Sequence, residues 1–263
     1  MQKKQKKSIA LALLAFTHGA LAADAGEFSL GAGFNYSSGD YGTATTTEIV
    51  SVPIIARYDR APWIFKLTVP YLRVSGGTSV VPGVGSVTSS NPKRRGGGAG
   101  EATASGLGDI VASATYNSFY NSAMKFGVDV TGRVKLGTAD RDQGLGTGEN
   151  DYGVQVDAYK TYDRVTYFGG IGYTELGSSP YIQLNSVLNA TAGASYKLDE
   201  RNSAGLSVDT RERSSPSAHP QRELTAFWTQ RIDHAWKAQA YVLKGFSDGS
   251  PDWGVGVSVA HAF

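Results

Sequence analysis

The stretch from Trp253 to Phe263 reads WGVGVSVAHAF and guides the interpretation of the whole chain. Large side chains alternate in it with glycine, serine and alanine, which is the period of two that predicts a β-strand with one apolar face. That face carries Trp253, Val255, Val257, Val259, His261 and Phe263. A soluble β-sandwich also contains such strands, so the remaining segments must separate a sandwich from a membrane barrel.

The same alternation recurs along the chain, for example in MKFGVDVTGRVKL from Met124 to Leu136. Most of the segments contain ten to fourteen residues, whereas soluble strands average about five or six. A strand of that length can cross a membrane on a tilt. Twelve strands are predicted, at residues 27–37, 47–58, 62–75, 106–117, 123–136, 151–162, 165–176, 184–198, 203–212, 222–232, 236–245 and 253–263.

The amino-terminal segment has the order of a secretory signal peptide. Four lysines precede an apolar run from Ile9 to Phe16, and Ala20-Leu21-Ala22 fits a cleavage site. The apolar run is too short to span a bilayer as a helix, although an amino-terminal anchor remains the alternative. We therefore predict a signal peptide at residues 1–22 and a single barrel domain at residues 23–263.

Composition excludes several classes of function. Removing the predicted signal lowers the basic count from 25 to 21 against 23 acidic residues, a net charge of about −2. A near-neutral chain without a long basic run argues against nucleic acid as a partner. The sequence contains no cysteine, which excludes disulfides and thiol chemistry.

The connections between predicted strands alternate in length. Short links such as Tyr162-Asp163-Arg164 separate longer ones, of which Gly76 to Ser105 is the longest. Short periplasmic turns and longer external loops are typical of outer-membrane barrels, so the long link is predicted to be an external loop. Lipid offers no hydrogen-bond partner to a strand edge, so the first and last strands should pair. The prediction is an all-β, closed antiparallel barrel of about twelve strands in the bacterial outer membrane, in contact with its lipid.

The last residue of the chain, a phenylalanine, resembles part of a known recognition signal. A last strand ending in Phe resembles the carboxy-terminal recognition signal of outer-membrane barrels, which makes Phe263 the expected assembly signal. The resemblance implies the barrel-assembly machinery as a partner.

If the apolar faces meet lipid, the polar faces line the lumen. Neighbouring strands should bring Asp109 near Arg133 or Lys135, and Lys125 near Asp157. Such pairs either prop the wall or select among ions, and both roles remain open. Twelve strands predict a narrow or partly plugged pore through which small solutes pass. The lumen-lining candidates are Asp109, Lys125, Asp129, Arg133, Lys135, Gln155, Asp157, Asp209, Arg211, Glu223 and Arg231.

No catalytic, cofactor or metal site is predicted. His219 lies near Ser214, Ser215 and Ser217, but proximity within a loop is weak evidence for a hydrolase. GLGTG at residues 144–148 is followed by a strand pattern rather than a helix, which argues against a nucleotide site. We expect a solvated external loop there. Cation binding by its carboxylates, at Asp140, Asp142, Glu149 or Asp151, remains open.

Three short motifs resemble a known family. They are GLGDI at residues 106–110, VKLGT at residues 134–138, and LGTG at residues 145–148 with Asp151. They resemble the outer-membrane barrel family named for the meta-pathway of phenol degradation, although Gly137 and Ala139 stand where members show proline and glycine. The resemblance implies passive transport of small hydrophobic or aromatic compounds and supplies no site residues. The alternative is a structural or surface-interaction barrel with a closed lumen.

Overall fold

The computed structural model describes residues 26–91 and 101–263, without the side chain of Glu101, and contains fifteen strands there. The predicted signal peptide lies outside these residues. The strands are β1 (Glu27–Gly39), β2 (Thr47–Arg60), β3 (Trp63–Gly77), β4 (Val80–Val81), β5 (Gly85–Ser86), β6 (Glu101–Leu107), β7 (Ile110–Asn121), β8 (Phe126–Leu136), β9 (Asp151–Tyr162), β10 (Val165–Glu175), β11 (Val187–Lys197), β12 (Asn202–Arg211), β13 (Gln221–Arg231), β14 (Trp236–Gly245) and β15 (Trp253–Ala262).

Twelve antiparallel strands form a closed barrel, because β6 and β7 together supply one strand of the wall. The second half of β3, toward the external loops, pairs with β6, and its first half pairs with β7. Strands β1 and β15 pair from Ser29 opposite Ala262 to Ser38 opposite Trp253. This pairing leaves no edge strand in the wall. The predicted fold class, strand number and closure are confirmed.

The predicted strand at 106–117 differs most from the structure. It begins earlier, at Glu101, continues to Asn121, and is interrupted at Gly108 and Asp109. The Gly108 N–H donates to the carbonyl oxygen of Pro70 (2.8 Å). Asp109 uses its side chain to accept the N–H of Ala139 (3.0 Å). The interruption therefore places the Asp109 carboxylate where it binds the loop that follows β8.

The outer surface of the barrel is apolar. On β3, Phe65 and Leu67 point outward and are 46% and 44% exposed. Aromatic side chains of neighbouring strands contact each other on this surface, as Tyr36 does with Trp253 (ring centroids 5.1 Å apart). A closed barrel with an apolar exterior is stable in lipid, which places the protein in the bacterial outer membrane. In the described part of the chain, no helix is long and apolar enough to cross a membrane.

Short turns at one end of the barrel are stabilised by aspartates. In the β11–β12 turn, Asp199 accepts hydrogen bonds from the Asn202 side chain and from the backbone N–H groups of Arg201 and Asn202. These bonds lower the pKa of Asp199. The Trp236 N–H lowers the pKa of Asp233 in the β13–β14 turn in the same way. Hydrogen bonds to the ionised form stabilise these turns above the unfolded carboxyl pKa, and the benefit is lost as the pH falls.

We predict that deleting Phe263 lowers the amount of assembled barrel several-fold. Its N–H donates to the Phe28 carbonyl (2.9 Å), and its exposed ring contacts the rings of Phe28 and His261. The deletion thus weakens the β1–β15 closure and removes the expected assembly signal. Heat-modifiable mobility of outer-membrane fractions measures the assembled fraction. Phe246→Ala, in an exposed loop, is the control, and equal assembly of both variants would contradict the prediction.

Candidate functional site

One external loop crosses the mouth of the barrel. Residues 78–91, here called the crossing loop, leave β3 and contain β4 and β5. Arg211, at the end of β12, donates from its guanidinium to the carbonyl oxygens of Gly83 (2.7 Å) and Val84 (2.9 Å). Strands β3 and β12 occupy the third and ninth positions of a twelve-strand wall and therefore face each other. The crossing loop accordingly spans the lumen from wall to wall.

The crossing loop is held by apolar contacts as well. Val81, Val84 and Val87 are buried against Ile182 and Leu184 of the β10–β11 loop. The Ser90 N–H also donates to the Tyr181 carbonyl oxygen (3.0 Å). The mouth therefore has a small apolar core of its own, separate from the barrel wall.

The loop between β8 and β9, at residues 137–150, also folds inward. Leu145 is only 2% exposed and packs on Leu72, Val74 and Ala104 of the inner wall. The expectation of a solvated loop was wrong, because Leu145 buries its side chain in the lumen. The glycines permit this path: Gly144 and Gly148 have positive φ (72° and 76°), and a Cβ on Gly146 would meet the Asp109 carboxylate.

A buried charge cluster fastens this inward loop. Lys135 Nζ lies 3.0 Å from Asp109 Oδ2 and 3.1 Å from Asp151 Oδ2, and it donates to Thr147 Oγ1 (3.3 Å). The other carboxylate oxygen of Asp151, Oδ1, accepts a hydrogen bond from the Gly177 N–H in the β10–β11 loop (2.9 Å). Of the two partners predicted for Asp109, Lys135 is the one in contact. Because each charge has a partner, the cluster is suited to holding loops in place.

Of the four carboxylates considered for cation binding, those of Asp140, Asp142 and Asp151 bind protein groups. Asp140 Oδ1 accepts the N–H groups of Asp142 and Gln143, and Asp142 accepts the Asn91 amide (2.8 Å). Within residues 26–91 and 101–263, three or more acidic or histidine side chains nowhere converge as metal ligands would.

Other predicted lumen residues form an acidic row on the inner wall. The register places Asp129 opposite Asp157, and Asp209 opposite Glu223. Asp129 accepts the Asn117 amide (2.9 Å). Gln155 donates a hydrogen bond to Asp157 (2.7 Å). Thr191 (2.6 Å) and Ser207 (3.1 Å) both donate to Asp209. The row runs from β8 to β13.

Lys125 does not lie where it was predicted. It lies in the turn before β8, with φ of 49° and an exposed side chain, so it is not a residue of the strand. The left-handed backbone ends the alternation that the sequence suggested, and Lys125 does not approach Asp157 as expected.

Two other basic candidates lie on strands. Arg231 is an exposed residue at the end of β13. Arg133 lies on the inner face of β8, where its guanidinium donates to Thr174 (3.2 Å).

The prediction omitted two basic residues of the inner wall. Arg57 on β2 is 5% exposed and pairs with Asp59 (2.9 Å), and Lys66 lies on the inner face of β3. Both could have been found, because each alternates with the outward-facing residues of its strand. Lys66 stands between Phe65 and Leu67 in WIFKLTV.

The prediction also omitted an aromatic patch on the inner wall. Tyr159, Phe168 and Phe227 form a buried cluster flanked by Tyr120 and Tyr241. Phe168 on β10 and Phe227 on β13 have ring centroids 6.3 Å apart, although two strands separate them.

Glycines on the neighbouring strands make room for these rings. A Cβ on Gly193 would meet the Phe168 ring, and one on Gly205 would meet the Phe227 ring. Gly127 stands in the same relation to Tyr159. The rings therefore lie along the wall over glycine instead of filling the lumen.

A cavity of about 120 Å³ lies near Tyr241. Its lining mixes polar and apolar groups, and Tyr241 donates a hydrogen bond to Asn35 (3.0 Å) at its side. The lining residues are Asn35, Tyr36, Ser37, Ile49, Ser51, Tyr241, Leu243, Pro251 and Gly254.

The serines near His219 serve the crossing loop. Ser214 Oγ donates to the Val84 carbonyl oxygen (2.7 Å), and Ser215 Oγ donates to that of Ser86 (3.0 Å). The His219 ring lies against Gly42 of the first external loop. These contacts describe a packed mouth and show no serine activated by histidine.

Comparisons with known proteins support the fold. No protein-family model and no curated protein matches the chain. An outer membrane channel from Pseudomonas putida F1 is similar in structure, with a TM-score of 0.65 and 13% identity over 92% of this chain and 97% of that one. The β domain of the Bordetella autotransporter BrkA gives a TM-score of 0.49 and 13% identity over 91% and 100%. The likeness to the Pseudomonas putida channel, at 13% identity, indicates a shared barrel fold only.

We predict that Arg211→Ala raises the ion conductance of the barrel. The substitution removes the two guanidinium hydrogen bonds that, together with those of Ser214 and Ser215, hold the crossing loop at the opposite wall, so the loop obstructs the mouth less continuously. Arg211→Lys should give an intermediate value, because an ammonium lacks the planar fork that reaches both carbonyls. Single-channel recording in planar bilayers measures the effect.

Arg222→Ala is the matched control, since Arg222 is an exposed residue at the same end of neighbouring β13. A conductance of Arg211→Ala equal to that of the wild type would show that the crossing loop does not depend on Arg211.

Proposed function

We propose that the protein is a passive outer-membrane channel for small hydrophobic or aromatic compounds, as its resemblance to the family named for the meta-pathway of phenol degradation implies. The observation that carries the proposal is the aromatic patch on the inner wall. Phe168 and Phe227 are 9% and 4% exposed, and the rings of Tyr120 and Tyr241 beside them are partly exposed. Together they give the lumen an apolar surface, which favours apolar solutes over ions.

The geometry of the patch suits transient contact with a passing ring. Aromatic pairs prefer offset or tilted arrangements with centroids 4.5–7 Å apart, and each contributes about 0.5–1.5 kcal/mol beyond area burial. Phe168 and Phe227 meet at a tilt of 50°, and glycines keep both rings beside the wall. Several weak contacts of this size favour entry without trapping the solute, which is what conduction requires.

The covered mouth limits the size of the solute. The crossing loop and the loop at residues 137–150 both occupy space that a porin of sixteen or more strands leaves open. Small planar molecules are therefore better candidates than sugars or peptides.

The covered mouth also favours the second candidate, a surface-interaction barrel with a closed lumen. Between the crossing loop and two other external loops lies a groove of about 490 Å³, lined by residues that include Thr88, Tyr181, Gln183 and Ser217. A closed barrel would present this groove to partners and conduct nothing. Measurements of transport separate the two candidates.

We predict that the double variant Phe168→Ala with Phe227→Ala takes up phenol about tenfold more slowly than the wild type, because one or two aromatic contacts are worth about 1.4 kcal/mol. Proteoliposomes enclosing a phenol-oxidising enzyme report the uptake. Ion conductance should stay equal or rise, since the truncations widen the lumen.

Phe65→Ala is the control, because Phe65 points outward from β3. Unchanged phenol uptake in the double variant would contradict the role of the aromatic patch in the passage of phenol. A wild-type barrel that admits neither ions nor phenol would favour the closed-lumen candidate.

A further inference from the structure

Lys66 is a lumen cation without a compensating carboxylate. Its strand neighbours Phe65 and Leu67 point to lipid, so Lys66 points inward. Among the described residues it makes no hydrogen bond and no ion pair. Lys66 is partly withdrawn from solvent, where an unpaired ammonium is costly, and such residues commonly mark the path of a solute.

The neighbours of Lys66 increase the positive charge. Arg57 is its direct partner on β2, and Ser113 on β7 separates it from Arg133 on β8. Arg57 and Arg133 both act on Lys66 as charges of the same sign. Arg57 is neutralised by Asp59, whereas Arg133 donates to the hydroxyl of Thr174 and forms no ion pair with the described residues. Lys66 and Arg133 therefore form a basic patch with two uncompensated charges.

The carboxylates of the lumen do not neutralise this basic patch. Asp109 and Asp151 are occupied by Lys135, nearer the mouth. The acidic row begins on β8 at Asp129, four residues before Arg133, and continues to β13, away from Lys66. The basic patch and the acidic row thus occupy different parts of the inner wall.

The aromatic patch lies across the lumen from Lys66. Strand β3 faces β12, and the Phe227 ring lies over Gly205 of β12. A molecule between the two walls therefore meets aromatic rings on one side and an ammonium on the other. A neutral hydrocarbon can use only the first of these walls.

We infer that the channel prefers aromatic compounds that carry one negative charge, such as aromatic carboxylates, with the ring on the aromatic patch and the anionic group at Lys66 and Arg133. This inference rests on the proposed function and specifies its substrate class. Arg133 and Lys66 act as binding residues, and no covalent step is involved.

Uptake of three probes tests the inference: benzoate, neutral phenol and benzylammonium, compared at pH 7 in proteoliposomes. The wild type should admit benzoate faster than benzylammonium. Lys66→Gln should lower the ratio of benzoate to phenol uptake, and Lys66→Glu should lower it about tenfold, equivalent to about 1.4 kcal/mol. Phenol, which carries no anionic group at pH 7, is the reference solute of this ratio.

Lys160→Gln is the matched control, since Lys160 is an exposed lysine on the outer face of β9. Heat-modifiable mobility confirms that each variant folds. An unchanged ratio in Lys66→Glu, or faster entry of benzylammonium than benzoate into the wild type, would overturn the inference.

Failure of the inference is distinguishable from failure of the proposed function. Uptake of phenol but not benzoate by the wild type would refute only the anion preference. Uptake of none of the probes would refute the channel itself.

Ion selectivity gives a second measurement. We predict that Arg133→Ala shifts the reversal potential in a salt gradient toward cation selectivity while assembly stays unchanged, because the basic patch loses one of its two uncompensated charges. Equal loss of selectivity and of assembly would assign Arg133 to support of the wall and contradict its role in the basic patch.

Discussion

Closure of the strand ladder between β1 and β15 is the interaction on which the rest of the structure depends. In lipid, each unpaired N–H or C=O group costs several kcal/mol, so an open sheet of this length would not be stable there. Pairing from Ser29 to Ser38 with the last strand removes the open edges. It also divides the side chains into two environments, because alternate residues of every strand must face either lipid or the lumen.

A closed wall of twelve strands creates a space that its own side chains do not fill. The protein covers that space at the mouth with two loops, and both depend on polar anchors from the wall. Arg211 binds carbonyl groups of the crossing loop, and Lys135 joins Asp109 to Asp151. Removing one partner of a buried ion pair typically costs about 3–5 kcal/mol, so such anchors fix loop positions strongly.

The strands could be predicted from the sequence because alternation is a local property. The pairing of Asp109 with Lys135 could be anticipated for the same reason, since β7 and β8 are adjacent. The positions of the loops could not be predicted, because their contacts join residues that are distant in sequence. Arg211, for example, binds Gly83, which is 128 positions away. Leu145 gave no signal either, as an isolated apolar residue among glycines looks like a solvated turn until the wall that receives it is known.

The paired and unpaired charges of the lumen have different physical consequences. Lys135 is neutralised by two carboxylates, so it stabilises the mouth and offers little attraction to a solute. Lys66 receives no such compensation from the described residues, and a neutral side chain at its position would avoid the desolvation cost. Its charge therefore contributes to the potential of the lumen rather than to the stability of the wall. Because aromatic rings lie on the opposite wall, our inference is that this potential favours solutes that combine an apolar ring with a negative charge.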